Sequence, residues 1–264
     1  MRVLTPRSLE EALELKADYP ATVPIEGGTD VMVDLNFDRR RPEALLNLNE
    51  VADLKGWRRE NGALRLGASL TYTEAMAPGL AELLPALAEA SRTVGSPQIR
   101  NRGTIGGNLG TASPAGDALP PLLVEGAEVE LASVRGTRRL PLTEFLVGPK
   151  RNALADDELI VAALVEPSGA PQTFMKIGPR NAMVIAVCSL ALAVDRERQE
   201  LRASFGSAGP VTGLVVAPIA EQDDFAERVA AAASPIDDVR GTADYRRHAL
   251  RVLTRRALER CSVT

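Results

Sequence analysis

Three features of the sequence predict a fold that mixes helices and strands in about two units. Segments with helical spacing stand beside apolar runs that are paired across turn residues. A Pro-Ser-Gly-Ala-Pro stretch at residues 167–171 separates a longer part of the chain from a shorter one. The 264 residues, at about 150 per domain, give roughly two domains.

The elements follow in order. Ser8 with Glu11 three residues on is a capping box that opens a helix, with Leu9, Ala12, Leu13 and the stem of Lys16 as its buried stripe. Pro20 ends it. Val23-Pro24-Ile25 and Leu45-Leu46-Asn47-Leu48 read as short strands, and Asn61-Gly62 as the turn of a hairpin between residues 54–59 and 63–68. Residues 80–94 carry Leu83, Leu84, Leu87 and Ala90 at helical spacing, with Pro85 shifting or kinking the start. Residues 95–121 are rich in Gly, Pro, Ser, Thr and Asn. Ile99, Ile105 and Leu109 within them argue for an ordered, functional segment. Residues 128–133 and 138–141 form a second hairpin around Arg135-Gly136-Thr137, and 158–165 a strand. Beyond the linker, residues 173–177, 184–194 and 201–205 make a three-stranded meander turning at 196–199. Residues 243–260 close with a helix, Tyr245, Ala249, Val252, Leu253 and Leu258 on its apolar side.

Composition removes whole classes of chemistry. Apolar residues at 45% and charged residues at 25% are an ordinary globular balance. The net charge of −4 argues against a nucleic-acid module with a dominant basic surface. Cys188 and Cys261 are the two cysteines and His248 the one histidine, so a four-cysteine iron–sulfur cluster does not fit within this chain. A Cys/His zinc site and a disulfide framework are excluded on the same count, and no metal site is assigned. The N-terminal residues show no secretory pattern. The longest apolar run, 182–194, contains Ser189 and is too short for a bilayer. These features predict a cytoplasmic protein.

Two glycine loops carry the functional signal. The first is Ile25-Glu26-Gly27-Gly28-Thr29-Asp30-Val31. The second is Thr104-Ile105-Gly106-Gly107-Asn108, running on to Thr111, Ser113 and Asp117. Gly-Gly pairs allow positive φ and let a ligand approach the backbone. Successive N–H groups in such turns form an anion-binding concavity. Two such loops can clasp a diphosphate, with Asp117 accepting from a ribose or ribityl hydroxyl. Each pair alone reads equally as a tight turn, with Asp30 or Asp117 as a cap. Neither a Gly-x-Gly-x-x-Gly fingerprint nor a Gly-Lys-Ser/Thr P-loop is present.

The combination is more specific. Gly95-Ser96-Pro97-Gln98-Ile99-Arg100-Asn101-Arg102-Gly103-Thr104-Ile105-Gly106-Gly107-Asn108-Leu109-Gly110-Thr111-Ala112-Ser113-Pro114-Ala115-Gly116-Asp117 closely resembles the signature of the FAD-binding (medium) subunit of molybdenum hydroxylases, the carbon monoxide dehydrogenase and xanthine dehydrogenase family. The first loop is similar to that family's Ala-Gly-Gly-Thr-Asp segment. Lys176-Ile177-Gly178-Pro179-Arg180-Asn181-Ala182-Met183 and residues 237–247 extend the likeness over nearly the whole chain.

The resemblance implies an α+β fold: a PCMH-type FAD-binding domain over residues 1–168, with subdomains of about 1–55 and 56–168, then a small α+β domain over 172–264 with a three-stranded sheet and helices. It implies that residues 25–31 bind the FAD diphosphate and that Thr104, Ile105, Gly106, Gly107 and Asn108 meet it from the other side. Thr111, Ser113 and Asp117 lie along the rest of the FAD, and Ile160 and Lys176 line the flavin pocket. Glu26 stands where the family usually has alanine; a carboxylate beside a diphosphate repels it, so Glu26 is expected to face away. The resemblance also implies partners: a small subunit with [2Fe–2S] clusters and a large subunit with the molybdenum cofactor. Electrons then pass through FAD to a final acceptor such as NAD, and this chain needs no catalytic side chain. A xanthine dehydrogenase or related N-heterocycle hydroxylase is the leading reading. A carbon monoxide dehydrogenase subunit is the alternative, and an assembly scaffold with a degenerate flavin site is the alternative of another class. Tyr72 and Cys188 read as packing residues, Trp57 as the cover of a surface edge, and the arginines 246, 247, 251, 255, 256 and 260 as a solvated helix face.

Overall fold

The structure is a computed structural model that describes residues 1–262. Its first elements are β1 (Arg2–Leu4), α1 (Leu9–Asp18), β2 (Val23–Ile25), α2 (Val31–Asn36) and β3 (Ala44–Asn47). The strands are parallel in the order β1-β3-β2, and both neighbours pair with β3 at Leu45 and Leu46. Ser8 Oγ accepts the Glu11 N–H at 3.1 Å, as the cap requires. Glu11 Oε2 accepts from Arg7 N–H at 2.7 Å, so half of the predicted box closes. Lys16 lies buried on α1 and donates to Pro20 O at 2.6 Å and Thr22 O at 2.9 Å, pinning the turn that feeds β2. The rim of this sheet beyond β2 is where the first glycine loop starts.

The second group begins with the hairpin β4 (Trp57–Glu60) and β5 (Ala63–Gly67). Asn61 and Gly62 both hold positive φ, 51° and 87°, which matches the twist of the two strands. Trp57 sits half-exposed on the edge strand. Short helices follow: α3 (Tyr72–Ala75), α4 (Pro78–Leu83), α5 (Pro85–Thr93), α6 (Pro97–Arg100), α7 (Ile105–Thr111) and α8 (Leu119–Val124). The single helix expected at 80–94 is two. Pro85 has no N–H to continue α4, and Leu84 leaves the helical region at φ −133°, ψ 65°. The segment 95–121 is ordered, and more helical than its composition suggests. Proline at the first position suits α6, because that N–H has no intrahelical partner anyway.

The chain then forms β6 (Glu128–Ser133), β7 (Gly136–Pro141), α9 (Leu142–Phe145), β8 (Leu146–Gly148), β9 (Arg151–Asn152) and β10 (Leu159–Val165). Ser133 pairs with Gly136, so the second hairpin turns at Val134-Arg135, a little earlier than predicted. The antiparallel sheet has the order β4-β5-β10-β6-β7, with β10 wholly buried at its centre. One hydrophobic core joins Leu46 and Leu48 near the parallel sheet to Leu66, Leu109, Leu131 and Val161. That shared core brings both glycine loops to a common edge.

The last group is β11 (Gln172–Ile177), β12 (Cys188–Asp195), β13 (Glu200–Gly206), β14 (Gly213–Pro218), α10 (Gln222–Ala232) and α11 (Ala243–Ser262). The sheet is a four-stranded antiparallel meander, which corrects the three strands expected. β14 is a partly exposed edge strand closed by Gly213 and Pro218, and those turn residues hid it. β12 begins at Cys188, later than expected, because residues 178–187 form a loop. Phe225, Val229, Leu250 and Leu253 of the two helices cover one face. On the other, Phe174, Ala191 and Ala193 meet Ala86 and Ala90 of α5 and Val124 of α8. Two carboxylates lock this contact. Glu125 accepts from Ser168 N–H at 2.9 Å and from Gln172 Nε2, and Glu89 accepts from Phe174 N–H at 2.7 Å. The arginine face of α11 is not all solvated. Arg246 is buried, donates to Ser207 O at 2.5 Å and pairs with Asp238, while Tyr245 is exposed.

Candidate functional site

The site lies where the loop after β2 meets α7. Gly27 has no room for a side chain: a Cβ there would overlap Arg102 O. Gly28 turns the chain at φ 73° and releases it into α2. Among the described residues, the N–H groups of Gly27, Gly28, Thr29, Asp30 and Val31 donate to no protein acceptor. Consecutive free N–H groups leading into a helix are an anion cradle. Outside, the loop is clamped by residues that the motifs did not single out: Arg102 Nη2 donates to Glu26 O at 3.1 Å and to Asn49 Oδ1 at 2.8 Å, and Asn49 Nδ2 to Glu26 O at 3.0 Å. Only the fold brings Asn49 and Arg102 to the loop, so sequence alone held no signal for Asn49.

Glu26 is half-buried rather than free in solvent. Its Oε2 is buried, with the hydroxyl of Ser69 beside the carboxyl. Burial pushes its carboxyl above the usual range, against the pull of Ser69, Arg102 and Lys55.

Across from the loop, Thr104 caps α7 by accepting the Gly107 N–H at 3.0 Å. Ile105 is fully buried and its N–H is engaged by Leu70 O at 2.9 Å, while the Gly106 N–H is engaged by Ala68 O at 2.8 Å. These two residues therefore hold the helix in place. Gly107 and Gly110 are exposed one turn apart and leave that face of α7 bare of side chains. Ile160 packs beneath, 3.5 Å from where a Gly110 Cβ would stand. Thr111 Oγ1 donates to Asp30 Oδ2 at 3.0 Å and ties the two loops together. Ser113 Oγ accepts the Ala115 N–H at 3.3 Å and shapes the next turn. That turn sets Gly116 against the Asn108 amide, whose Oδ1 is buried and unpartnered.

The other end of the site joins the two halves of the chain. Asp117 Oδ2 receives the Lys176 ammonium of β11 at 2.6 Å, and Lys176 also donates to Thr93 O at 3.3 Å. Both side chains are buried, 9% and 5% exposed, yet Asp117 Oδ1 has no partner. Burial raises the Asp117 carboxyl, and the ammonium beside it draws it back. Tyr72 is buried between the two ends. Burial pushes its phenol up, and the Asp117 and Asp30 carboxylates add to this, so it stays protonated.

Comparison with known families matches residues 1–165 to the FAD-binding domain in molybdopterin dehydrogenase. The chain belongs to that family. It is 30% identical to the putative xanthine dehydrogenase FAD-binding subunit of Escherichia coli K12, over 95% of this chain and 92% of that protein. It is 37% identical to the nicotinate dehydrogenase FAD-subunit of Eubacterium barkeri, over 72% of this chain and 67% of that protein. Among solved structures, a chain of the Cu,Mo-CO dehydrogenase in its cyanide-inactivated form matches with a TM-score of 0.92, at 25% identity over 100% of this chain and 98% of that one.

The fold is thus the α+β fold of the molybdopterin dehydrogenase FAD-binding subunits, and the chain is an oxidoreductase component that binds FAD. The residues present fit that cofactor. Free N–H groups and a bare helix face suit a diphosphate, and the orphaned oxygens of Asn108 and Asp117 suit the hydroxyls and amides of a nucleotide or flavin. Among the described residues no helix is long and apolar enough to cross a membrane.

Proposed function

We propose that this chain holds FAD between a small [2Fe–2S] subunit and a final acceptor such as NAD, in a cytoplasmic complex whose large molybdenum subunit oxidises xanthine or a related N-heterocycle. When bound, FAD supplies the step between a pairwise acceptor and single-electron clusters. The chain supplies position. Residues 25–31, with Gly107, Gly110 and Thr111 opposite, grip the diphosphate, and Thr104, Ile105, Gly106 and Asn108 set that wall. Ser113 and Asp117 follow the sugar or ribityl chain, and Ile160 and Lys176 stand toward the flavin end. Cys188 and Cys261 are buried, their thiols pushed up to about 12 and about 11, so neither offers a thiolate for a cluster of its own.

The observation that carries this reading is the set of free N–H groups at Gly27–Val31 beside the bare face of α7. Its test is the absorption spectrum of the purified chain and of Gly28→Val. The chain is expected to be yellow and to release FAD on denaturation, and the variant to lose most of it. A chain that neither carries nor takes up FAD, alone or beside its partners, supports the scaffold reading. For the substrate, relatives named for nicotinate and xanthine favour an N-heterocycle. The likeness to CO dehydrogenase favours carbon monoxide as the second reading. Reduction of the bound FAD in the assembled complex by xanthine, and not by carbon monoxide, decides between them.

A further inference from the structure

Glu26 enters the glycine loop directly before the free N–H groups, and one oxygen of its carboxyl is buried there. Oε2 is shut off from solvent, and the hydroxyl of Ser69, itself buried, is a donor beside the carboxyl. The backbone beneath the side chain is held in place. Ile25 O accepts from Leu48 N–H at 2.9 Å, Glu26 O is held by Asn49 and Arg102, and Gly27 is seated against Arg102 O. Burial disfavours the ionised carboxylate here more than the hydroxyl beside it offsets. The charged groups that face it are Arg102 after α6, Lys55 before β4 and Glu74 on α3. Arg102 and Lys55 favour the ionised form, while burial and Glu74 favour the neutral one. A diphosphate on the N–H groups of the next residues adds negative charge nearby.

We propose that Glu26 takes up a proton from solvent as FAD binds, so that FAD uptake by this chain is proton-linked. The inference rests on residues 27–31 being the diphosphate site. The proton ends on the Glu26 carboxyl, where Ser69 Oγ can accept a hydrogen bond from it. FAD keeps both phosphate charges, and no electron moves. The sign follows from linkage: FAD favours the protonated form. Affinity is flat where Glu26 is already protonated in the free chain. It falls by at most about tenfold per pH unit as pH rises between the free and bound values, and then levels off.

The test uses the full chain freed of FAD and titrated with FAD by calorimetry, between about pH 5 and pH 9, in buffers of different ionisation enthalpy. The dependence of the heat on the buffer counts the protons taken up. The expected result is uptake by the native chain that peaks within this range. Glu26→Gln and Glu26→Ala should lack that uptake, and their affinity should stay flat where that of the native chain falls. Gly28→Val separates this inference from the reading beneath it: undiminished FAD affinity in that variant removes the diphosphate loop and the inference with it. With the loop intact, equal uptake in the native chain and both Glu26 variants overturns the proton linkage alone, as does no uptake by the native chain at any pH.

Discussion

Around the first glycine pair, the N–H groups of residues 27–31 have no protein acceptor among the described residues. Around the second, those of Ile105, Gly106 and Gly107 are engaged by Leu70 O, Ala68 O and Thr104 Oγ1. The same dipeptide therefore serves two ends. At 27–28 it leaves donors free and turns the chain at positive φ. At 106–107 it lets α7 settle against Ala68 and offer a smooth wall. What separates them is the set of neighbouring acceptors, which satisfies one loop and leaves the other open. Ligand capacity here is a property of unmet hydrogen bonds rather than of glycine count.

That contrast can be broken at several points. The largest effect is expected at Gly27→Val. The new side chain overlaps Arg102 O and forces the two loops apart, so FAD should be lost and stability should fall by about 4 kcal/mol or more, read by flavin absorbance and urea unfolding. Lys176→Met comes next. It leaves Asp117 buried without its cation, at a cost of about 3 kcal/mol near neutral pH. Because burial already raises the folded-state pKa of Asp117, the folded state holds that proton to higher pH than the unfolded chain does. The penalty therefore grows as pH rises through the folded value and shrinks on acidification; a melting series against pH should show the variant recovering toward the native chain in acid.

Gly106→Ala tests the scaffold side of the contrast. Its Cβ would stand 2.6 Å from Ala68 Cβ and 2.7 Å from Ala68 O, so stability should fall by about 2 kcal/mol while FAD affinity in the folded fraction changes less than at Gly27. Thr111→Val is the mildest. It removes the 3.0 Å bond to Asp30 and should cost about 1 kcal/mol, with a small loss of FAD affinity by fluorescence titration. An ordering in which Gly106→Ala costs more FAD affinity than Gly27→Val would reverse the roles assigned to the two loops.

Much of this molecule follows from local chemistry and was therefore legible in the sequence. The Asn61-Gly62 hairpin, the Ser8 cap and the strands at 23–25 and 159–165 depend on residues a few positions apart, whose preferences act before any tertiary contact forms. The glycine loops were legible for the same reason, since positive φ and close approach demand glycine wherever they occur. Other features needed the whole fold. Proline and glycine hid the short helices between 97 and 124, which hold their shape by packing against the core rather than by propensity. β14 shows itself only as the strand that completes the edge of a sheet, and Arg246 becomes a buried residue only once Ser207 and Asp238 surround it.

The site divides along the same line. Sequence by itself determined which loops combine glycine pairs with short polar side chains, because those properties belong to single residues and their neighbours. Tertiary structure decided which loop keeps its donors free, that Lys176 of the last sheet reaches Asp117 of the first half, and that Glu26 Oε2 is buried beside the loop. Those outcomes depend on which distant atoms arrive first at each donor, acceptor and charge, and only the folded chain sets those distances.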